Sequence, residues 1–122
     1  MDDDVSGLRV VITAGASGIG LATAEELLAG GAQVQICDVD TDALERFRSD
    51  HGVAGAWHAD VADEIAVELF VSSAVDAMGG VDVLVNNAGI AGPGGRTDTL
   101  ELDAWSRTLD VNVTGTFLAS RK

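Results

Sequence analysis

The segment TAGASGIG, Thr13–Gly20, follows the apolar, β-branched run LRVVIT at Leu8–Thr13 and leads into a stretch rich in Ala, Leu and Glu. Glycine lacks a Cβ atom, so a loop of this composition turns tightly and lets a ligand approach the backbone. The glycines of the segment are Gly15, Gly18 and Gly20. A helix that starts here presents unpaired N–H groups and the positive end of its dipole to an anion. The segment therefore predicts a strand, a glycine turn and a helix N-terminus that can bind a pyrophosphate.

Strands and helices alternate along the rest of the chain. Further strands are predicted in three runs: QVQICDV at Gln33–Val39, VAGAWHA at Val53–Ala59 and VDVLVNN at Val81–Asn87. Helices are predicted between and after them, at Ile19–Ala29, Thr41–Asp50, Asp63–Met78 and from Asp103 onward. This alternation predicts an α/β fold with a parallel sheet, right-handed crossovers and helices on both faces. One apolar face of the third helix is expected to contain Ile65, Leu69, Phe70, Ala74 and Met78.

Composition limits the partners and the compartment. The 122 residues suffice for one domain, and 47% of them are hydrophobic, which is enough for a packed core. A net charge of −13 disfavours nucleic-acid binding, because such a surface repels phosphate backbones. The single cysteine, Cys37, excludes an internal disulfide and a multi-cysteine metal site. Neither a targeting peptide nor an apolar run of membrane-spanning length is recognisable, so we expect a cytoplasmic protein without membrane, nucleic-acid or metal partners.

Asp38 stands at the end of the second predicted strand, 18 residues after Gly20. A carboxylate at this point can accept hydrogen bonds from both hydroxyls of an adenosine ribose. It would also repel a 2′-phosphate, by several kcal/mol (order of magnitude) at contact distance for an effective dielectric constant of about 20. Asp38 therefore predicts NAD over NADP as the cofactor. The alternative is that Asp38 caps the following helix, a role that Asp40 or Thr41 could also fill.

Four motifs in order carry a resemblance to a known family. They are TAGASGIG, ADV at Ala59–Val61, NNAG at Asn86–Gly89 and DVNVTGTF at Asp110–Phe117. Together they resemble the short-chain dehydrogenase/reductase family over nearly the whole chain, from about Leu8 onward. The resemblance implies a Rossmann-like parallel sheet with strand order 3-2-1-4 and flanking helices, truncated within the fifth helix of that fold. Residues 1–122 would then be the N-terminal portion of a single NAD-binding Rossmann domain.

The resemblance also implies where an NAD molecule would lie. The family motif reads Thr-Gly-x-x-x-Gly-x-Gly, and Ala14 replaces its first glycine, so we expect a slightly altered turn. The implied cofactor-binding residues are Gly15, Ser17, Gly18, Ile19 and Gly20 at the pyrophosphate, Asp38 at the ribose, Asp60 and Val61 at the adenine, and Asn87, Ala88 and Gly89 beside the ribose and the fourth strand.

A family asparagine that helps to organise a proton relay falls on Asn112, the one catalytic residue that the resemblance implies in this chain. The residue interrupts an apolar helix face, and a buried asparagine must find hydrogen-bond partners or destabilise the fold. Because the residue lies on this apolar face, we expect it to be buried. The residues themselves favour a second interpretation, a structural tether between this helix and the loop after the fourth strand, over the relay role.

The family's catalytic tyrosine, lysine and serine have no counterparts here. The chain contains no tyrosine, and Leu118 stands four residues before its only lysine, Lys122. We therefore expect a fragment that binds NAD but is inactive alone. The complete enzyme would transfer a hydride between nicotinamide and an alcohol or carbonyl substrate, as a homo-oligomer, either a dimer or a tetramer. The alternative functions are a stand-alone, non-catalytic nucleotide-binding module and a methyltransferase-like binder, although the latter does not account for NNAG.

Overall fold

The computed structural model of the protein describes residues 4–52 and 54–122. Within these residues, four parallel strands lie in the order β3-β2-β1-β4, which confirms the predicted topology. The strands are β1 (Arg9–Thr13), β2 (Gln33–Asp38), β3 (Gly55–His58) and β4 (Val83–Val85). The third strand was predicted to begin at Val53, which lies outside the described residues. The fourth strand is shorter than its apolar run predicted.

Three helices connect consecutive strands: α1 (Gly18–Ala29), α2 (Thr41–Asp50) and α3 (Glu64–Met78). After β4, the chain passes through a 3₁₀ turn (Thr97–Thr99) to α4 (Leu102–Leu109), a π-helical segment (Asp110–Thr114) and α5 (Gly115–Ser120). The single helix predicted from Asp103 onward is therefore interrupted by five residues of wider helical winding.

The two central strands, β1 and β2, are largely buried on both faces, as expected for apolar parallel strands, whereas Trp57 of β3 and Val83 of β4 are partly exposed. Alternate residues of a strand point to opposite faces, so Val10 and Ile12 pack with α1 and α2, whereas Val11 packs with α3 and α5. The first core contains Leu44 and Phe47, and the second contains Val67, Phe70, Ala74, Leu118 and Ala119. Both cores depend on side chains from β1, the central strand of the sheet.

The predicted apolar face of α3 is partly wrong. Phe70 and Ala74 are buried together with Val67, whereas Ile65 is 71% exposed and Leu69 is 63% exposed. The buried positions follow the spacing i, i+3, i+7, and Ile65 and Leu69 lie outside that stripe. Asp63 caps the helix, since its carboxylate accepts hydrogen bonds from the N–H groups of Ile65 and Ala66.

An ion pair holds β4 beside β1 at the amino-terminal edge of the sheet. The Arg9 guanidinium donates to both carboxylate oxygens of Asp82, at 2.8 and 3.0 Å, and to the carbonyl oxygen of Gly79. The side-chain hydrogen bonds from Arg9 are the main reason why the pKa of Asp82 falls to about 2. The pair marks the edge of the sheet opposite the glycine loop.

Trp57 is 37% exposed, and its indole N–H donates to Gln35 Oε1 at 2.8 Å.

No described helix is both long and apolar enough to cross a bilayer. Across residues 4–52 and 54–122, no cluster of three or more His, Cys, Asp or Glu side chains is arranged to hold a metal ion.

Two helical leucines test the assignment of the cores. Leu44→Ala should lower the free energy of unfolding by roughly 2–5 kcal/mol, because it leaves a cavity under α2 at a side chain that is 1% exposed. Leu69→Ala should change it by about 0.5 kcal/mol or less, because that side chain already faces water. Urea unfolding followed by circular dichroism measures both values. Equal losses for the two variants would contradict this description of the core.

Candidate functional site

A cleft lies at the carboxyl ends of the strands, where parallel α/β sheets bind their ligands. The structure brings five of the predicted site residues to its walls: Asp38, Asp60, Val61, Ala88 and Gly89. Ala14, from the glycine loop, forms part of the same wall. Residues far apart in the sequence therefore meet in one place, because the strands are parallel and their carboxyl ends lie along one edge of the sheet, in the order β3-β2-β1-β4.

The glycine loop combines close packing with a helix end that is open to a ligand. A Cβ atom at Gly15 would collide with the Ile36 side chain, and one at Gly20 would collide with Ala14 and Asn87. Gly18 has a φ of +56° and open space around it. Ser17 and Ile19 are exposed at the start of α1, and within the described residues the Ser17 side chain makes no capping bond to that helix. The first turn therefore retains N–H groups for an anion.

Asn87 joins the glycine loop to the loop after β4. Its side-chain Nδ2 donates to the carbonyl oxygens of Thr13 and Ala14, at 3.1 and 3.0 Å. In return, the Thr13 hydroxyl oxygen accepts the backbone N–H groups of Asn87 and Ala88, each at 3.0 Å. These four bonds fix one wall of the cleft against the other. Thr13 was not among the predicted site residues, although its position at the end of β1 was the available signal.

Asp38 is 8% exposed and binds three backbone N–H groups. One oxygen accepts from Ala16 of the glycine loop at 3.1 Å, and the other accepts from Val39 and Asp40. Asp40 caps α2 with its own carboxylate, which accepts the N–H of Ala43. The interpretation of Asp38 as the helix cap is therefore wrong. Its carboxylate instead ties the end of β2 to the glycine loop at the border of the cleft.

Asp60 binds Arg107, which was not among the predicted site residues. Its Oδ1 accepts the N–H of Ala62 at 2.9 Å, and its Oδ2 accepts from Nη2 of Arg107, on α4, at 2.8 Å. Burial alone would raise the pKa of Asp60, but these two hydrogen bonds and the charge of Arg107 outweigh it, and the pKa is lowered. Val61, next to it, is buried against Gly115.

Asn112 lies in the π-helical segment and holds the backbone of Ile90. Its Oδ1 accepts the Ile90 N–H, and its Nδ2 donates to the Ile90 carbonyl oxygen, both at 2.8 Å. The tether to the loop after β4 is therefore present. The expectation of burial is wrong, because the residue is exposed, and its polar groups are satisfied by this backbone pair instead. The relay role stays a prediction.

Cys37 is the other potentially reactive group near the cleft. Its side chain is 1% exposed, and burial raises the pKa of its thiol to about 12. The nucleophilic form of cysteine is the thiolate, which is negligible at neutral pH with such a pKa. Cys37 thus contributes to the second core and not to chemistry in the cleft.

The sheet order, the glycine loop at the first crossover and the cleft above it define a Rossmann-like nucleotide-binding fold. Residues 9–122 match the family model of the short chain dehydrogenases, and the chain belongs to that family. This confirms the resemblance drawn from the four sequence motifs.

Known relatives agree with this assignment. The chain is 41% identical over 115 residues to the uncharacterized oxidoreductase YxbG of Bacillus subtilis, covering 91% of the chain and 42% of that protein. It is 38% identical to 2,5-dichloro-2,5-cyclohexadiene-1,4-diol dehydrogenase of Sphingobium indicum, covering 97% of the chain and 48% of that protein. The chain thus spans about half the length of these curated relatives.

A solved structure matches the fold closely. The 3-ketoacyl-(acyl-carrier-protein) reductase from Brucella melitensis, complexed with NADH, superposes with a TM-score of 0.91 at 36% identity. The match covers 96% of the chain and 49% of that reductase.

Ala14 provides a test of the geometry of the glycine loop. It is a non-glycine residue with φ of +53°, a conformation that crowds its Cβ atom against the backbone. Ala14→Gly should stabilise the fold by roughly 0.5–1 kcal/mol, because glycine tolerates this φ. The matched control, Ala22→Gly on the exposed face of α1, should destabilise it by a similar amount. Thermal and urea unfolding measure both; a loss of stability for Ala14→Gly would overturn the assigned loop conformation.

Proposed function

We propose that the chain is the cofactor-binding part of an NAD-dependent oxidoreductase that transfers a hydride between nicotinamide and an alcohol or carbonyl substrate. The observation that carries the proposal is the position of the Asp38 carboxylate, at the end of β2 and bound to the glycine loop. The family membership and the NADH named for the Brucella melitensis reductase support it. In this proposal, residues 1–122 are the N-terminal portion of a single Rossmann domain.

Each part of an NAD molecule can be assigned to residues with suitable chemistry along the cleft. The open first turn of α1, with Gly15, Ser17, Gly18, Ile19 and Gly20, suits the pyrophosphate. Asp38 suits the adenosine ribose, and Asp60 with Val61 suits the adenine. Ala88 and Gly89 would lie beside the ribose and β4, with Asn87 holding them against the glycine loop. When bound, NAD would supply the hydride acceptor.

The proposal separates cofactor binding from catalysis. The chain contains no tyrosine, so the acid–base chemistry of the family would reside in residues of the complete enzyme that this chain does not contain. Asn112, fixed on Ile90, would help to organise the proton relay there. We therefore expect the chain to bind NAD without reducing it. Reduction of NAD by the chain and a simple alcohol, at rates typical of the family, would contradict this division.

A charge substitution at Asp38 tests the choice of cofactor. The chain should bind NAD in preference to NADP, and Asp38→Asn should reduce that preference about tenfold or more. The amide no longer repels a 2′-phosphate. Its single acceptor oxygen can serve either Ala16 or the N–H groups of Val39 and Asp40 but not both, so thermal unfolding must first verify that the variant is folded. Calorimetric titration of both nucleotides gives the ratio of dissociation constants.

Asp40→Asn is the matched control for this substitution. It removes the same charge two residues away, from a carboxylate that caps α2, and asparagine is an equally good cap. The nucleotide preference should therefore stay unchanged. If Asp38→Asn also leaves the preference unchanged, the role of Asp38 in selecting NAD is wrong.

We also propose that the complete enzyme is a homo-oligomer. An apolar row on the helical stretch after β4 supports this: Trp105, Leu109, Val113 and Phe117 are each 43–60% exposed and spaced by four residues. An apolar row of this kind is typical of a subunit contact. Val113→Glu should lower the molar mass of the complete enzyme in light scattering, whereas Ile65→Glu, on α3, should not. An unchanged mass for Val113→Glu would remove this row from the interface.

A further inference from the structure

The end of the cleft assigned above to adenine contains an ion pair that joins two elements distant in the sequence. Asp60 follows β3, and Arg107 lies on α4, 47 residues later. Their Nη2 and Oδ2 atoms are 2.8 Å apart, and both side chains are partly exposed, 50% for Arg107 and 35% for Asp60. Both residues border the same cleft as Asp38. An exposed ion pair contributes little to stability, so its position is more informative than its energy.

The hydrogen bonds of Asp60 fix the orientation of its carboxylate. The N–H of Ala62 occupies Oδ1, and the Arg107 guanidinium occupies Oδ2. A carboxylate has about four acceptor sites, so two remain after these bonds are formed. An ionised carboxylate cannot donate a hydrogen bond. It therefore accepts an amino group and repels a carbonyl oxygen at the same place.

Resting on the placement of NAD and its adenine at Asp60 proposed above, we propose that Arg107 is a positioning residue: it orients the Asp60 carboxylate towards the exocyclic amino group of adenine and so strengthens the preference for an aminopurine over an oxopurine dinucleotide. Adenine carries an exocyclic amino group, a donor that an oriented carboxylate can accept. Hypoxanthine carries a carbonyl oxygen on the same ring carbon. That oxygen would face the Asp60 carboxylate with no hydrogen-bond donor between the two acceptors. The preference for adenine over hypoxanthine thus arises from the Asp60 carboxylate as acceptor and from the Arg107 guanidinium that fixes its orientation.

Arg107 acts through orientation and not through ionisation. The charged or titratable groups that face Asp60 are Arg107 from α4 and His58 from β3, and Asp38 of β2 borders the same cleft. An unperturbed aspartate titrates near pH 4, about three units below neutrality. Without Arg107, Asp60 would still be ionised at neutral pH, but Ala62 alone would hold it. Loss of Arg107 should therefore weaken selectivity while leaving the charge in place.

The test compares NAD with nicotinamide hypoxanthine dinucleotide by calorimetric titration of the chain. Wild type should prefer NAD, and Arg107→Gln should reduce that preference about three- to tenfold, the range expected for one hydrogen bond. Arg107→Lys should retain more of it, because an ammonium group can still donate to Asp60. Asp60→Asn should remove or reverse the preference, because an amide can also donate. Adding Arg107→Gln to Asp60→Asn should then change nothing further.

Arg121→Gln is the matched control. Arg121 also pairs with a carboxylate, that of Glu64, but neither residue borders the cleft. The preference should be unchanged in this variant. Thermal unfolding of each variant verifies that it is folded, and Arg107→Lys keeps the test decisive if Arg107→Gln does not fold.

A second readout needs no nucleotide. Carbon-13 titration of the Asp60 carboxyl should show its pKa rising in Arg107→Gln, because the guanidinium bond is lost, and remaining low in Arg121→Gln. An unchanged pKa in Arg107→Gln would overturn the inferred link between the two residues.

The outcomes separate this inference from the proposed function. If Arg107→Gln weakens both dinucleotides equally, Arg107 acts on the phosphates or on the fold, and the inference is wrong while NAD binding stands. If wild type binds neither dinucleotide, the proposed function is wrong, and the inference fails with it.

Discussion

The parallel pairing of β1 with β2 on one side and β4 on the other is the constraint on which the rest of the structure depends. It aligns the carboxyl ends of the strands, and therefore the loops that follow them, at one edge of the sheet. Both cores are built on alternate side chains of β1, so the pairing is stabilised by apolar burial on each face. The cleft is a geometric consequence of this arrangement.

The loops around the cleft are held by hydrogen bonds within the protein. Asn87 and Thr13 join the glycine loop to β4, and Asp38 joins it to β2. Arg107 and Asn112 extend this bracing from the helical stretch after β4 to Asp60 and Ile90. A site whose walls are already fixed loses little conformational entropy when a ligand binds, which favours affinity and selectivity. The polar residues of the motifs thus serve the fold and the proposed function at the same time.

The sequence predicted the features that depend on local pattern. Apolar runs, glycine turns and helix caps are determined by neighbouring residues, and the strand order followed from the family resemblance. The bounds of α2 agree with the prediction, and those of α1 and α3 differ by one residue at the start. The position of Asp38, Asp60 and Val61 around one cleft agrees with the same reasoning. Their contacts with a nucleotide remain proposals.

Features that depend on tertiary packing were missed. The pairing of Arg107 with Asp60 spans 47 residues and has no local signature. The exposed positions of Ile65 and Asn112 depend on how α3 and the π-helical segment pack, although the tether from Asn112 to the loop after β4 was predicted. Periodicity gives a face of a helix but not the neighbour that covers it.

The central claim is that the cleft above β1 binds NAD, and backbone amide NMR during titration with NAD tests it most directly. The account predicts that the largest shift changes fall on Ser17–Gly20, Val39, Val61 and Gly89, with little change at Arg9 and Asp82 on the opposite edge. No change at saturating NAD, or the largest changes around Arg9 and Asp82, would contradict it.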